Sequence, residues 1–312
     1  MLHVFTHEEC LAHQPGPQHP ECPARLDVIL AALRSSPLAI DWRQAPLGTE
    51  AQVLLAHAAT HWQQVCAAAP ETGLRSLDPD THLSPGSLRA ALRGVGGACA
   101  AVDLLLALDR AHGFCLTRPP GHHATPDSAM GFCVFNQAGI AALHAQRQHG
   151  VQRVAVIDFD VHHGNGTQDI LAGRPGLLYV STHQFPHYPG TGSGSENRLG
   201  KLHNVPLAKG LDDEGYQSLF SREVLPVLTA FRPELLVVSA GFDAHARDPL
   251  GGLQLGEPTY RWLGQQLARV ACDHAHGRLL SVLEGGYNLQ VLGSSVVAYA
   301  SGVEEIMSTF AV

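Results

Sequence analysis

Four short segments carry the residues that could do chemistry. They are Arg118-Pro119-Pro120-Gly121-His122-His123, Asp158-Phe159-Asp160-Val161-His162-His163-Gly164-Asn165-Gly166, Ser239-Ala240-Gly241-Phe242-Asp243 and Glu284-Gly285-Gly286-Tyr287-Asn288. Asp160 and His162 are two residues apart, so in extended backbone both side chains project to the same side. Asp243, at the end of another apolar run, can complete the set. Three ligands of the His and carboxylate type with a vacant fourth position describe a catalytic zinc, because the vacancy admits water and substrate. Taken singly, Asp160 and Asp243 read more readily as strand-end caps and His162 as a packed core residue. Their joint occurrence with other ionisable groups at neighbouring strand ends favours the metal. Asp158 and Asn165 can accept hydrogen bonds from the imidazoles of His122 and His123 and so fix their tautomers. Tyr287 follows a Gly-Gly pair whose sharp turn could aim a phenol at the metal; an ordinary turn with a packed tyrosine is the other reading.

These segments need elements to position them. Apolar, β-rich runs at 2–5, 113–117, 153–157, 177–182, 234–239 and 279–283 alternate with helical patterns, the signature of a parallel sheet wrapped by helices. Their near-continuous Val, Leu and Ile content fits strands buried on both faces. Helices are predicted at 24–34, from the Ser84-Pro85 cap to about 108, and at 136–148, 212–230, 259–274 and 289–307. Thr49 with Gln52, and Thr60 with Gln63, have capping-box spacing. The long Gly- and Pro-rich stretches 184–203 and 242–258 follow predicted strands and read as functional loops. Ligands of open parallel sheets bind beyond the carboxyl ends of the strands, where all four chemical segments fall.

Composition narrows the function classes. The chain has 312 residues, 45% of them hydrophobic and 15% charged, with no internal repeat or linker, so residues 1–312 are read as one α/β domain. The net charge is -8 and only two basic residues are Lys, which leaves no basic stripe for nucleic acid. No uninterrupted apolar run is long enough for a membrane span, and the first residues lack a signal-peptide pattern, so the expected location is the cytoplasm. Seven cysteines, scattered and never Cys-x-x-Cys, argue against a disulfide framework and a thiolate zinc knot. Twenty histidines are a compositional hint of metal or acid-base chemistry.

The chain resembles the zinc-dependent histone deacetylase family, in its bacterial class II-like or acetoin-utilisation form. The resemblance runs from His19-Pro20-Glu21-Cys22-Pro23-Ala24-Arg25-Leu26 through Gly131-Phe132-Cys133-Val134-Phe135-Asn136, Tyr188-Pro189-Gly190-Thr191-Gly192 and Asp248-Pro249-Leu250-Gly251-Gly252 to the tyrosine segment. It implies a single domain of the arginase-deacetylase type, with a parallel central sheet flanked by helices. It makes Asp160, His162 and Asp243 the zinc ligands, and His122, His123 and Tyr287 the catalytic set, oriented by Asp158 and Asn165. Gly131, Phe132, Tyr188 and Leu250 would line an acyl-lysine channel, with Arg25 deeper, near an internal cavity. A potassium ion would be held by Asp158, Asp160, His162, Ser181 and Thr182. Iron(II) suits a mixed oxygen and nitrogen site as readily as zinc. Asp80, in the loop 78–82, is offered as the substrate-backbone anchor.

The implied reaction is removal of acetyl or another acyl group from a lysine side chain or a small acylated amine by metal-activated water. An acetylpolyamine deacetylase and a non-catalytic acyl-lysine binding module are the alternatives. A binuclear manganese ureohydrolase shares the fold but needs more carboxylates, and this chain offers His163 and His245 where that pattern has Asp. Where some family members pair the second histidine with Asp, Asn165 orients the imidazole without adding charge, so the pKa of His123 should be less elevated than that of His122. No oligomeric state follows from the sequence.

Overall fold

The computed structural model describes residues 1–309. Its centre is an eight-stranded parallel sheet of β1 (Leu2–Thr6), β2 (Ile40–Gln44), β5 (Ala111–Cys115), β6 (Val154–Asp158), β7 (Leu177–Gln184), β8 (Leu202–Leu207), β9 (Leu235–Ala240) and β10 (Arg278–Leu283). A separate antiparallel hairpin joins β3 (Arg75–Asp78) to β4 (Thr81–Leu83). The sheet order is β2-β1-β5-β10-β9-β6-β7-β8. Strands β5, β10, β9 and β6 are therefore contiguous at its centre, and each runs into one of the four chemical segments. Because the strands are parallel, those segments meet at one edge of the sheet.

The central strands are apolar on both faces, as helices on both sides require. Along β6, Ala155 and Ile157 enter one core, while Val154 and Val156 enter the other. The first core is closed by α1 (Ala24–Arg34), α9 (Glu257–His274) and α10 (Leu292–Thr309), the second by α4 (Ser87–Ala107) and α5 (Gln137–His149). The remaining helices are α2 (Glu50–Val53), α3 (Ala59–Ala68), α6 (Asn165–Leu171), α7 (Asp213–Leu219) and α8 (Leu225–Phe231). Burying each large apolar side chain is worth about 1.5–3 kcal/mol, so both faces contribute to holding the strand ends in register. Helix α4 is long and apolar enough to cross a bilayer, yet 67% of that stretch is buried inside the fold; it serves as a core helix.

Several boundaries differ from expectation. Strands β2 and β8 were not predicted, and both are edges. Ile40–Gln44 carries Asp41 and Arg43, while Leu202–Leu207 carries Pro206, which an edge strand tolerates because one side needs no ladder donor. The Thr49–Gln52 capping box forms, but Thr60 lies inside α3, whose N-cap is Ala58 and has no side-chain bond. Helix α4 starts at Ser87 rather than directly after Ser84, because Gly86 takes a left-handed conformation at φ 90. Helix 212–230 is interrupted by a π stretch, Phe220–Val224. Pro226 follows at once and cannot donate to an α-helical ladder. The last helix starts at Leu292, three residues late, because 289–291 belong to the turn after Tyr287.

Candidate active site

Strand ends β6 and β9 deliver the predicted metal trio to one point. The ligand atoms of Asp160, His162 and Asp243 lie within 4.8 Å of one another. His162 Nδ1 is 3.0 Å from Asp160 Oδ1 and 3.2 Å from Asp243 Oδ2. Backbone donors fix both carboxylates: Gly285 N to Asp160 Oδ2 at 2.8 Å, His162 N to Asp160 Oδ1 at 2.9 Å, and Val161 N to Asp243 Oδ1 at 2.9 Å. Asp243 Oδ2 is buried with no hydrogen-bond partner. Burial and then the Asp160 charge push the Asp243 carboxyl up to about 7. Burial opposes charge on His162, but the two carboxylates overcome it and lift the imidazole to about 10. Two buried carboxylates that draw a proton onto the imidazole between them form a hollow built for positive charge. Its nitrogen and oxygen donors, with an orphaned carboxylate oxygen aimed inward, fit a divalent zinc or iron ion.

The histidine pair follows β5, and its partners come from β6 and α6. His122 Nδ1 lies 3.0 Å from Asp158 Oδ2, and His123 Nδ1 lies 2.8 Å from Asn165 Oδ1. The Asn165 amide nitrogen turns toward the Met130 sulfur at 3.4 Å, so its oxygen faces His123. That oxygen only accepts, which puts the His123 proton on Nδ1 and leaves the Nε2 lone pair free. Burial disfavours charge on both rings. For His122 it is outweighed by Asp160, Asp158 and Glu284, which hold the pKa well above the usual histidine value. For His123 burial wins, aided by repulsion from His122 and His162, and the pKa falls well below that value. The Asn165 acceptor itself favours the charged His123 ring, so the depression comes from burial and the two neighbouring imidazoles rather than from Asn165.

Tyr287 is held by groups to which the sequence assigned no such role. Asp248 Oδ2 accepts from Tyr287 N at 2.6 Å and from Asn288 N at 3.2 Å, while its Oδ1 accepts from Leu250 N at 2.9 Å. One carboxylate thus ties the tyrosine turn to the loop carrying Leu250. Arg25 is wholly buried, donates to Gly286 O at 2.6 Å and Glu284 O at 2.5 Å, and stacks 4.8 Å from the Tyr287 ring. Burial, and then the Asp243 and Asp160 charges against the opposing Arg25, raise the Tyr287 phenol well above its usual pKa, so it is a proton donor at neutral pH.

A cavity of about 220 Å³ opens onto this centre. That is below the ~300–1,000 Å³ of most small-molecule sites and suits one unbranched chain. His123, His162 and Tyr287 line it together with the predicted channel residues Gly131, Phe132, Tyr188 and Leu250. Arg25 does not line it; it lies behind the tyrosine turn and clamps it. Gly131 is left-handed at φ 56, and a side chain there would collide with the His123 ring, so glycine is required. Asp80 lines the mouth and accepts from Gly131 N at 3.1 Å.

Three further residues escaped the sequence reading. His187 stacks on His162 with centroids 5.0 Å apart and bonds Leu250 O at 2.9 Å. Glu284 accepts from Gly121 N, His122 N and Ser239 Oγ, with burial pushing it up to about 7. Tyr179 donates to the Asp158 oxygen that faces His122, at 3.0 Å. Glu284 had a signal, a carboxylate at the end of a buried strand, whereas His187 and Tyr179 sit in sequence without one. Ser181 pairs in register with Asp158, and Thr182 shares its hydroxyl with Tyr216 at 2.8 Å. His163 is bonded to Thr191 and Gln168, and His245 faces Glu257, so neither adds a ligand for a second metal.

Comparison with known proteins agrees with this geometry. The histone deacetylase domain model matches residues 19–303. Histone deacetylase-like amidohydrolase of Pseudomonas aeruginosa is 38% identical over 96% of this chain and 86% of its own length. Histone deacetylase 14, chloroplastic, of Arabidopsis thaliana is 37% identical over 94% of this chain and 74% of its own. The crystal structure of the HDA15 HD domain superposes with a TM-score of 0.90 at 34% identity, covering 98% of this chain and 88% of that one. A chloroplast protein among such relatives means that kinship does not support the expected cytoplasmic location over another. The central parallel sheet, its strand-end site and these matches together place the chain in the histone deacetylase family.

Proposed function

We propose that the protein hydrolyses the amide of acyl-lysine side chains, acetyl-lysine first. The observation that carries this reading is the narrow cavity lined by His123, His162 and Tyr287 together. A zinc or iron(II) ion held by Asp160, His162 and Asp243 would supply polarisation of the acyl carbonyl and acidification of water. His123 Nε2 takes a proton from the attacking water and later returns one to the leaving amine. His122, kept protonated by Asp160 and Asp158, supplies positive charge beside the reacting group. The Tyr287 hydroxyl donates to the carbonyl oxygen as negative charge develops on it. Asp80 at the mouth would accept a backbone N–H of a peptide substrate. Asp158, Asp160, His162, Ser181 and Thr182 are the residues that would hold a potassium ion, whose charge would offset the buried carboxylates.

The acid limb of activity tests the base. Protonating His123 removes it, and because its pKa is depressed, that loss begins only below the ordinary histidine range. A carboxylate at position 165 would favour the charged imidazole, so Asn165→Asp should move the acid limb of kcat/KM to higher pH. A limb that stays in place at unchanged metal content would assign the base elsewhere.

Substrate choice turns on the channel wall. Leu250 gives an apolar surface that suits a lysine stem and offers no charge to a distal ammonium. Acetyl-lysine peptides should therefore be turned over faster than acetylspermidine. Leu250→Glu should shift the kcat/KM ratio toward the polyamine by about fivefold, the equivalent of one half-exposed ion pair of ~1 kcal/mol. A panel of acetyl-lysine peptides and acetylated polyamines checks both, and a wild-type enzyme fastest on acetylspermidine would contradict the assignment.

A further inference from the structure

At the opposite edge of the sheet, near the amino ends of the strands, lies a second convergence of ligand-type side chains. His144 and His149 occupy the last turns of α5, and Asp103 faces them from α4. His144 Nε2 and His149 Nε2 approach the same Asp103 oxygen, at 2.8 and 2.7 Å. The three ligand atoms lie within 4.8 Å of one another. The rings cross at 70° with centroids 5.8 Å apart, so the two nitrogens converge while the ring bodies diverge.

We propose that Asp103, His144 and His149 form a second transition-metal site, separate from the one at the cavity. Bonds of ~2.0–2.2 Å to a tetrahedral ion place ligand atoms roughly 3.3 Å apart. The two carboxylate-to-imidazole distances need to open by only about half an ångström to reach that spacing. His144 is buried and fixed by the helix, its Nδ1 having no hydrogen-bond partner. The Asp103 side chain is 54% exposed. His149 also lines an open hollow of about 450 Å³ shared with His274, His276 and Glu234, which gives water access to the remaining coordination position. Two imidazoles and one carboxylate select zinc, copper(II) or nickel(II) over magnesium or calcium, which prefer all-oxygen sites. An ion bound there joins α4 to α5 and stabilises the native state that holds it.

The proposal does not rest on the assignment of the cavity chemistry, and its test reads metal rather than turnover. Chelator-stripped protein is titrated with zinc chloride by calorimetry, and bound zinc is counted after desalting. Wild type should bind one zinc more per chain than Asp103→Ala and than His149→Ala, and zinc should raise Tm less in both variants. The far-ultraviolet circular dichroism of zinc-stripped Asp103→Ala should match wild type and so report an intact fold. Zinc stoichiometry identical in wild type and both variants would overturn the proposal, as would an additional zinc that survives both substitutions.

Discussion

Asp160→Ala, His162→Ala and Asp243→Ala should each lose the metal and slow acetyl-lysine turnover by at least ~10³-fold. Each removes one of three protein ligands, and the polarisation a bound metal supplies is worth several kcal/mol, with about 1.4 kcal/mol per tenfold. The loss should be seen first as metal content per folded chain, checked by circular dichroism. Asp243→Asn provides a second variant that keeps the side-chain shape while removing charge. Its amide can still accept from Val161 N, so packing is retained while the pull on the cation falls. Full activity in any of the three alanine variants at normal metal content would move the metal away from this trio.

Tyr287→Phe should keep the metal, the fold and KM, yet reduce kcat by about 10²–10³-fold, the usual cost of one lost donor to a developing oxyanion. The phenol is a donor at neutral pH because burial and the Asp243 charge keep it protonated. Its placement comes from the Asp248 and Arg25 anchors on the turn backbone, which phenylalanine leaves untouched. Steady-state kinetics separate the two contributions. An effect confined to KM would show that Tyr287 binds substrate without stabilising the transition state.

How much was legible in sequence follows from where each group gets its constraint. The central strands β5, β6, β9 and β10 announce themselves because burial on both faces demands an unbroken apolar run. Edge strands β2 and β8 face no such demand and read as loop. Asp160, His162 and Asp243 stand out because strand-end carboxylates and imidazoles are costly to bury without purpose. His187 was invisible because its role depends on the loop 185–201 folding back over His162, a tertiary placement with no local pattern. Arg25 was read as lying deep, near an internal cavity, but not as holding the tyrosine turn: its guanidinium sits behind Tyr287 and binds the Gly286 and Glu284 carbonyls. Asp248 was noted only as the start of a motif, since capping two backbone donors thirty-nine and forty residues away leaves no trace in spacing.

The most direct test of the central claim is acetate release from an acetyl-lysine peptide by chain of known zinc content, with chelator-stripped chain beside it. The geometry of the cavity predicts multiple turnovers that track zinc occupancy of the Asp160, His162 and Asp243 site and vanish on stripping. A chain with that site filled that binds the peptide but releases no acetate, and hydrolyses no other acylated amine, would contradict it.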